Sequence, residues 1–366
     1  MVRGFGALAL AAWAGLGLAG CGKTADEPVK EGGPPSTKGG SNPVDKGGSR
    51  PRVVLVTNGN SDWWSAVEKG MKDGAAKFGA DAEMKRNNDG STEGQIRLLE
   101  EALSSSDVKG VAVSVVEADA PGIAETIRKI KDAGKVIITI DSDIAPSAAD
   151  ARRAYIGTDN SKAGEAAGRA AAMLRPQGGT VVVFVGTAAA ANARERLAGF
   201  FAGAGPKFVK PPAEIFEDGA DTNKAESFAQ IAITKHPNTG VMLGLYSYNG
   251  PRIASETAKV PAFREKTTVV TFDLDEQAVE HLEKGAIDVS VCQNPYEIGL
   301  QAIRMLKAMV SDDKAAVEEM LPKGAMTMPI DVRVIVPADD SPVKAPNVIT
   351  IKAMKEWLAT KGLKSS

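Results

Sequence analysis

The chain is poor in the residues on which most enzymatic chemistry relies, with two histidines and two cysteines in 366 residues. Cys21 closes an apolar N-terminal run, which leaves Cys292 without a partner for an intramolecular disulfide, so the fold must be held by its core. His236 and His281 stand beside no Cys, Ser or metal-type cluster and read as helix-end or surface residues, which argues against an enzyme. "VGTAAAANA" lacks the spaced glycines that let a backbone approach a pyrophosphate, so no dinucleotide cofactor is expected. "DSD" and "DLD" are fragments of a calcium-loop pattern without its twelve-residue frame, and no metal is expected. An excess of one charge is also missing: the net charge is −2 with acids and bases interspersed, which gives no footprint for nucleic acid. Aromatic residues make up only 5%. The adjacent Trp63 and Trp64 in "NGNSDWWSAVEKGMKDGAAKFG" therefore need a reason.

The first 20 residues, with Arg3 ahead of an apolar run that is too short for the ~20 residues of a membrane span, read as a secretory signal peptide. Leu18-Ala19-Gly20-Cys21 resembles the bacterial lipobox, which implies that Cys21 is the lipidated first residue of the exported chain and holds it to a membrane. Residues 21–50 are rich in Gly, Pro, Ser and Lys and read as a flexible tether. A DNA-binding helix-turn-helix would have to precede the core, and leader and tether occupy that place.

From Pro51 onward, near-continuous apolar runs ("RVVLVTN", "GVAVSVV", "KVIITID") alternate with amphipathic helical runs, and the pattern restarts at "GTVVVFVG". Such alternation predicts parallel sheets covered on both faces, here an α/β fold of two similar doubly wound lobes. "IDVRVIVP" is a late strand whose lobe periodicity leaves open. Ligands of parallel sheets bind beyond the carboxyl ends of the strands. Those ends deliver Asn60, Ser61, Trp63 and Trp64; Asp141 with Ser142 and Asp143; Arg194 in "NARERLAGF"; Thr222; Tyr248 and Asn249; Asp273; and Gln293.

Carboxylates, amides and a guanidinium suit hydroxyls that both donate and accept, and an aromatic ring suits the C–H face of a sugar. A ring covering about 50 Å² contributes ~1 kcal/mol, whereas micromolar binding needs ~8 kcal/mol, so hydrogen bonds at ~1.5–3 kcal/mol each must supply most of the affinity. Blander roles stand beside these: Ser61 or Asp62 as a helix cap, the two aspartates as turn residues, the "ARER" arginines as solvated charges, and one tryptophan packed inward, since neighbours at a helix start diverge by ~100°.

The motifs "NSDWWSAVEKG", "VIITID", "YIGTDNSKAGEAAGR", "ARERLAGF", "TFDLDEQAVEHLEKG" and "VCQNPYEIG" make nearly the whole body, Arg52 to about Pro337, similar to the ribose-type periplasmic sugar-binding proteins, with a ligand-binding core like that of the lactose-repressor family. The resemblance implies a type I periplasmic binding fold. Its N-terminal lobe would be residues 51–157 plus about 294–335, and its C-terminal lobe 158–293 plus about 336–366. Hinges would fall near Ile156 to Asp159, at Gln293 to Asn294 and around Val336. It further implies a monomer outside the cytoplasm that closes on a sugar or polyol and docks on an ABC permease, with Trp63, Trp64, Asp141, Arg194, Asp273 and Gln293 on the sugar. A receptor of the same fold that presents its ligand to a sensor kinase or chemoreceptor is the rival reading. Departures bear on specificity. Asn60 is one residue off the ribose-type spacing, with Ser61 at the matched place. Ser142 replaces an arginine, Thr222 an aromatic residue and Tyr248 an asparagine.

Overall fold

The buried Val and Ile runs form strands, and the amphipathic runs between them form the helices that cover those strands. A computed structural model describes residues 50–210 and 215–366. The leader, Cys21 and the tether lie outside the described residues, apart from Arg50.

The first half runs β1 (Arg52–Val56), α1 (Trp63–Phe78), β2 (Asp81–Lys85), α2 (Thr92–Ser104), β3 (Val108–Val113), α3 (Pro121–Asp132), β4 (Val136–Ile140) and β5 (Tyr155–Gly157). The second runs α4 (Asn160–Leu174), β6 (Gly179–Val185), α5 (Ala191–Ala204), β7 (Phe208–Val209), β8 (Ile215–Glu217), α6 (Thr222–Lys235), β9 (Thr239–Gly244), α7 (Asn249–Ala258), α8 (Pro261–Arg264), β10 (Thr268–Phe272), α9 (Glu276–Glu283) and β11 (Val289–Cys292). The chain then returns through α10 (Pro295–Val310), α11 (Lys314–Met320) and β12 (Thr327–Pro329), and ends in β13 (Arg333–Val336), β14 (Val348–Thr350) and α12 (Ile351–Lys361).

Two sheets result. The first is wholly parallel, in the order β12-β5-β4-β3-β1-β2. The second is ordered β14-β13-β11-β10-β9-β6-β7, with β8 also on β6, and only β13 against β11 is antiparallel. Each sheet has β1 or β6 near one edge and winds outward in the same sense, so β4 and β10 occupy equivalent places. The late strand "IDVRVIVP" supplies β13 of the second sheet. The third passage between sheets therefore falls between Pro329 and Arg333, ahead of the Val336 expected from sequence, because β13 finds its partner in Ser290 to Cys292.

Each lobe docks its first helix on the helix that crosses over from the other lobe, α1 on α10 and α5 on α4. Glycines permit the approach: a Cβ on Gly299 would stand 2.1 Å from the Val67 carbonyl oxygen, and one on Gly199 2.2 Å from that of Ser161. This close packing fixes α1, which begins with the two tryptophans, and α5, which carries two arginines. Among the described residues no helix is long and apolar enough to cross a membrane. Cys292 is buried, and no cluster of three or more His, Cys, Asp or Glu able to hold a metal occurs among the described residues.

Candidate functional site

The carboxyl ends of the two sheets face one another across a cavity of about 420 Å³, within the ~300–1,000 Å³ typical of small-molecule sites. Of the residues expected from sequence, Asn60, Ser61, Trp63, Trp64, Asp141, Tyr248, Asp273 and Gln293 line it.

Both tryptophans stand in the first turn of α1, where the Asp62 side chain makes no capping bond. Their rings meet edge to face, with centroids 4.9 Å apart and planes at 84°. Perpendicular rings form a corner, so only one can lie flat on a given sugar face. The other side of each ring packs into the first lobe's core.

Asp141 and Asp273 follow β4 and β10 at equivalent points, and both take the left-handed backbone conformation, with φ of 56° and 57°. An aspartate held there costs on the order of 1 kcal/mol or more, a strain typical of functional positions. The surroundings of each carboxylate differ. Asp141 Oδ2 accepts from Ser114 Oγ at 2.7 Å, and no donor reaches its Oδ1. Burial pushes Asp141 up to about 6, with Arg196 and Ser114 opposing and Asp273 adding to the rise. Asp273 is gripped by Gln293, whose backbone N–H and Nε2 donate to its two oxygens at 2.8 Å each. Burial raises its pKa as well, against Arg196 first and then Gln293. The Trp63 indole N–H makes no hydrogen bond of good geometry but lies near enough to Asp273 to lower its pKa.

Four expected residues lie elsewhere. Arg194 points out of the cleft, half exposed, and pairs with Asp119 of the other lobe at 2.9 Å. The arginine of the cleft is Arg196, two residues on and on the opposite side of α5. It is fully buried, donates through Nε to Asn160 Oδ1 (2.9 Å) and through Nη1 to the Leu245 carbonyl (2.8 Å), and lies over the Phe272 ring at 4.8 Å. Its Nη2 has no partner. Ser142 sits fully buried beneath the floor, its carbonyl accepting from Val115 N–H, because the left-handed turn at Asp141 swings the chain inward. Thr222 is the exposed first residue of α6, capped by Asp221. Asn249 is buried behind the wall: its Oδ1 accepts from Tyr246 N–H (3.0 Å) and its Nδ2 donates to Asp218 (2.7 Å).

Besides Arg196, sequence reasoning missed several residues. Tyr246 stacks on Tyr248, with centroids 6.0 Å apart, and donates to Asn192 Oδ1 at 2.8 Å. Tyr248, which was expected, fills the space over Gly186, where a Cβ would stand 2.0 Å from its hydroxyl oxygen. Asp218, at the end of β8, is pushed up to about 7 by burial. Asn58 and Asp89 also line the cavity. Helix phase was the available signal for Arg196: Ala193, Arg196, Phe200 and Ala204 recur at three- and four-residue spacing on the buried face of α5, and Arg194 falls out of phase.

The chain is similar to known proteins over most of its length. A D-ribose/D-allose-binding protein of Pseudomonas aeruginosa is 26% identical over 205 residues, 53% of this chain and 62% of that protein, so the match spans less than two thirds of that relative. A D-allose-binding periplasmic protein of Escherichia coli is 27% identical over 277 residues, 72% of this chain and 84% of that one. The crystal structure of a glucose-galactose binding protein from Geobacillus stearothermophilus superimposes with a TM-score of 0.69 at 27% identity, covering 80% of this chain and 99% of the other. Residues 52–314 match the model of the periplasmic binding protein domain. With two lobes of this winding and a polar cleft between them, the chain belongs to the periplasmic binding protein family and has its type I fold.

Proposed function

We propose that the protein is an extracytoplasmic solute receptor that binds a sugar or sugar-like polyol between its lobes and delivers it to an ABC importer. The observation that carries this reading is the pair Asp141 and Asp273, one from each lobe, buried on either side of Arg196 with the tryptophan corner beside them. Carboxylate acceptors, a spare guanidinium N–H and an apolar ring wall match the alternating hydroxyls and C–H faces of a sugar. The relatives named for ribose, allose, glucose and galactose support the same class.

Because Trp63, Trp64 and Asp141 come from one lobe and Arg196, Tyr248 and Asp273 from the other, a ligand touching both favours the closed form by its differential affinity for it. Membership of the family implies action outside the cytoplasm. Lipidation of Cys21 would keep a monomer at the membrane beside its permease. The test is a tryptophan-fluorescence titration, checked by calorimetry, of the compact unit Ser49–Ser366 with pentoses, hexoses and cyclitols. Saturable binding of one compound, lost in Asp273→Ala, is expected. No binding across the panel would refute the sugar reading.

A further inference from the structure

The cleft holds more buried negative charge than the positive charge built against it. Asp141 and Asp273, both on the cavity wall, are 5% and 2% exposed. Among the residues that line the cavity, Arg196 is the single cation. The basic residues around the mouth are turned to other anions: Arg86 to Glu68 at 3.0 Å, Arg97 to Asp89 at 3.5 Å and Arg194 to Asp119 at 2.9 Å. Against burial and the charge of Asp62, Arg252 lowers the pKa of Asp275. One guanidinium thus serves two buried carboxylates.

The unmet hydrogen-bonding groups are of both kinds. Gln293 Oε1 is buried without a partner, and Asp141 is bonded through Oδ2 alone, so these two oxygens await a donor. Beside the same carboxylates, Arg196 Nη2 and Trp63 Nε1 lack acceptors of good geometry. A ligand that satisfies both brings hydroxyl or ring oxygens to Arg196 and Trp63 and a donor, best a charged one, to Asp141 and Gln293. A buried carboxylate without a counter-charge is expensive, and a charge-assisted hydrogen bond is roughly twice as strong as a neutral one.

We propose that the solute is an amino sugar, or an amino-substituted cyclitol, whose protonated amine sits against Asp141. This rests on the sugar-binding reading and narrows it. The upward displacement of Asp141, to about 6, and of Asp273 fits two buried carboxylates that share one guanidinium. An ammonium at Asp141 favours the ionised carboxylate, so its advantage is present at pH 7.5 and shrinks as the pH falls below about 6, where Asp141 takes up a proton. The same charge balance disfavours uronic acids and sugar phosphates.

Calorimetry of the unit Ser49–Ser366 with glucosamine, galactosamine and mannosamine, each beside its neutral parent and its N-acetyl derivative, tests this at pH 7.5 and pH 5. One amine is expected to bind at least about tenfold more tightly than both of its neutral counterparts at pH 7.5, since a hydrogen bond to a charged group outweighs a neutral one by about that much. The advantage is expected to fall severalfold at pH 5 and in Asp141→Asn, and the pH arm decides should that variant fold poorly. A neutral sugar that binds as tightly as its amine, or an amine advantage that is unchanged at pH 5, would overturn the inference and leave the sugar receptor standing. No binding by any of the nine compounds would overturn the amino-sugar inference, and the titration with pentoses, hexoses and cyclitols decides the sugar reading separately.

Discussion

Arg196 and Arg194, two residues apart on α5, have opposite predicted behaviour. Arg196 is fully buried and is the strongest opposing influence on the raised pKa values of Asp141 and Asp273. Arg196→Met keeps the volume and removes the charge, which leaves two buried carboxylates without a cation and the Asn160 Oδ1 and Leu245 carbonyl acceptors without their donor. Breaking one side of a buried charge set costs ~3–5 kcal/mol. The loss depends on pH in a defined direction. Both carboxylates already have folded-state values above their unfolded ones, and removing Arg196 raises them further. A group with a raised folded pKa stabilises the fold while protonated and ceases to do so as pH rises through that value. The deficit of Arg196→Met is therefore smallest near pH 4 and grows through pH 6, where Asp141 titrates in the intact protein, and above. Arg194→Ala removes an ion pair whose side chains are 45% and 61% exposed, worth ~0–1 kcal/mol, and its small deficit should not follow that rising course. Urea unfolding of both variants from pH 4 to pH 8 measures the difference. Equal losses, or an Arg196→Met deficit that does not change with pH, would refute the electrostatic account of the cleft.

Further outcomes follow from single contacts. Gly199→Ala places a methyl 2.2 Å from the Ser161 carbonyl oxygen, so it should separate α4 from α5 and lower stability by ~1–3 kcal/mol, read by thermal unfolding. Asp218→Asn removes a carboxylate raised to about 7 but turns an amide NH2 toward the Ala220 N–H or the Asn249 Nδ2 donor; the variant should be less stable than the parent near pH 4, and that deficit should shrink as pH rises toward 7, where the parent loses the stability of its protonated carboxyl, seen as a pH-dependent difference in Tm. Cys292 is fully buried, and burial pushes its thiol pKa up, so a thiol reagent should label the native protein only at the rate of unfolding.

Much of the architecture was legible because parallel strands buried on both faces are near-continuous apolar runs, as "VIITI" and "TVVTF" are, and because a carboxylate at such a strand's end has few other reasons to be there. Asp141 and Asp273 were found on that ground. What sequence hid was direction. Arg194 and Arg196 look alike in "ARER", and only the phase of the helix, set by Ala193, Phe200 and Ala204, says which one enters the cleft. The left-handed turn at Asp141 turned Ser142 under the floor, and after β8 the cavity is lined by Gly219 and Ala220, with Thr222 left on the exposed start of α6. Antiparallel pairing brought β13 into the second sheet, which no periodicity records. Of the two stacked tyrosines Tyr248 was expected and Tyr246 was not, because Tyr246 reads as a continuation of a strand that in fact ends at Gly244.

The central claim is that one ligand is held by both lobes. Calorimetry of Asp141→Asn and Asp273→Asn with the sugar that binds the parent protein tests it most directly, since these carboxylates end equivalent strands in opposite sheets. Each variant is predicted to lose at least about tenfold in affinity, the loss of one hydrogen bond to a charged group. Full affinity retained in either one would place the ligand on a single lobe and contradict the account.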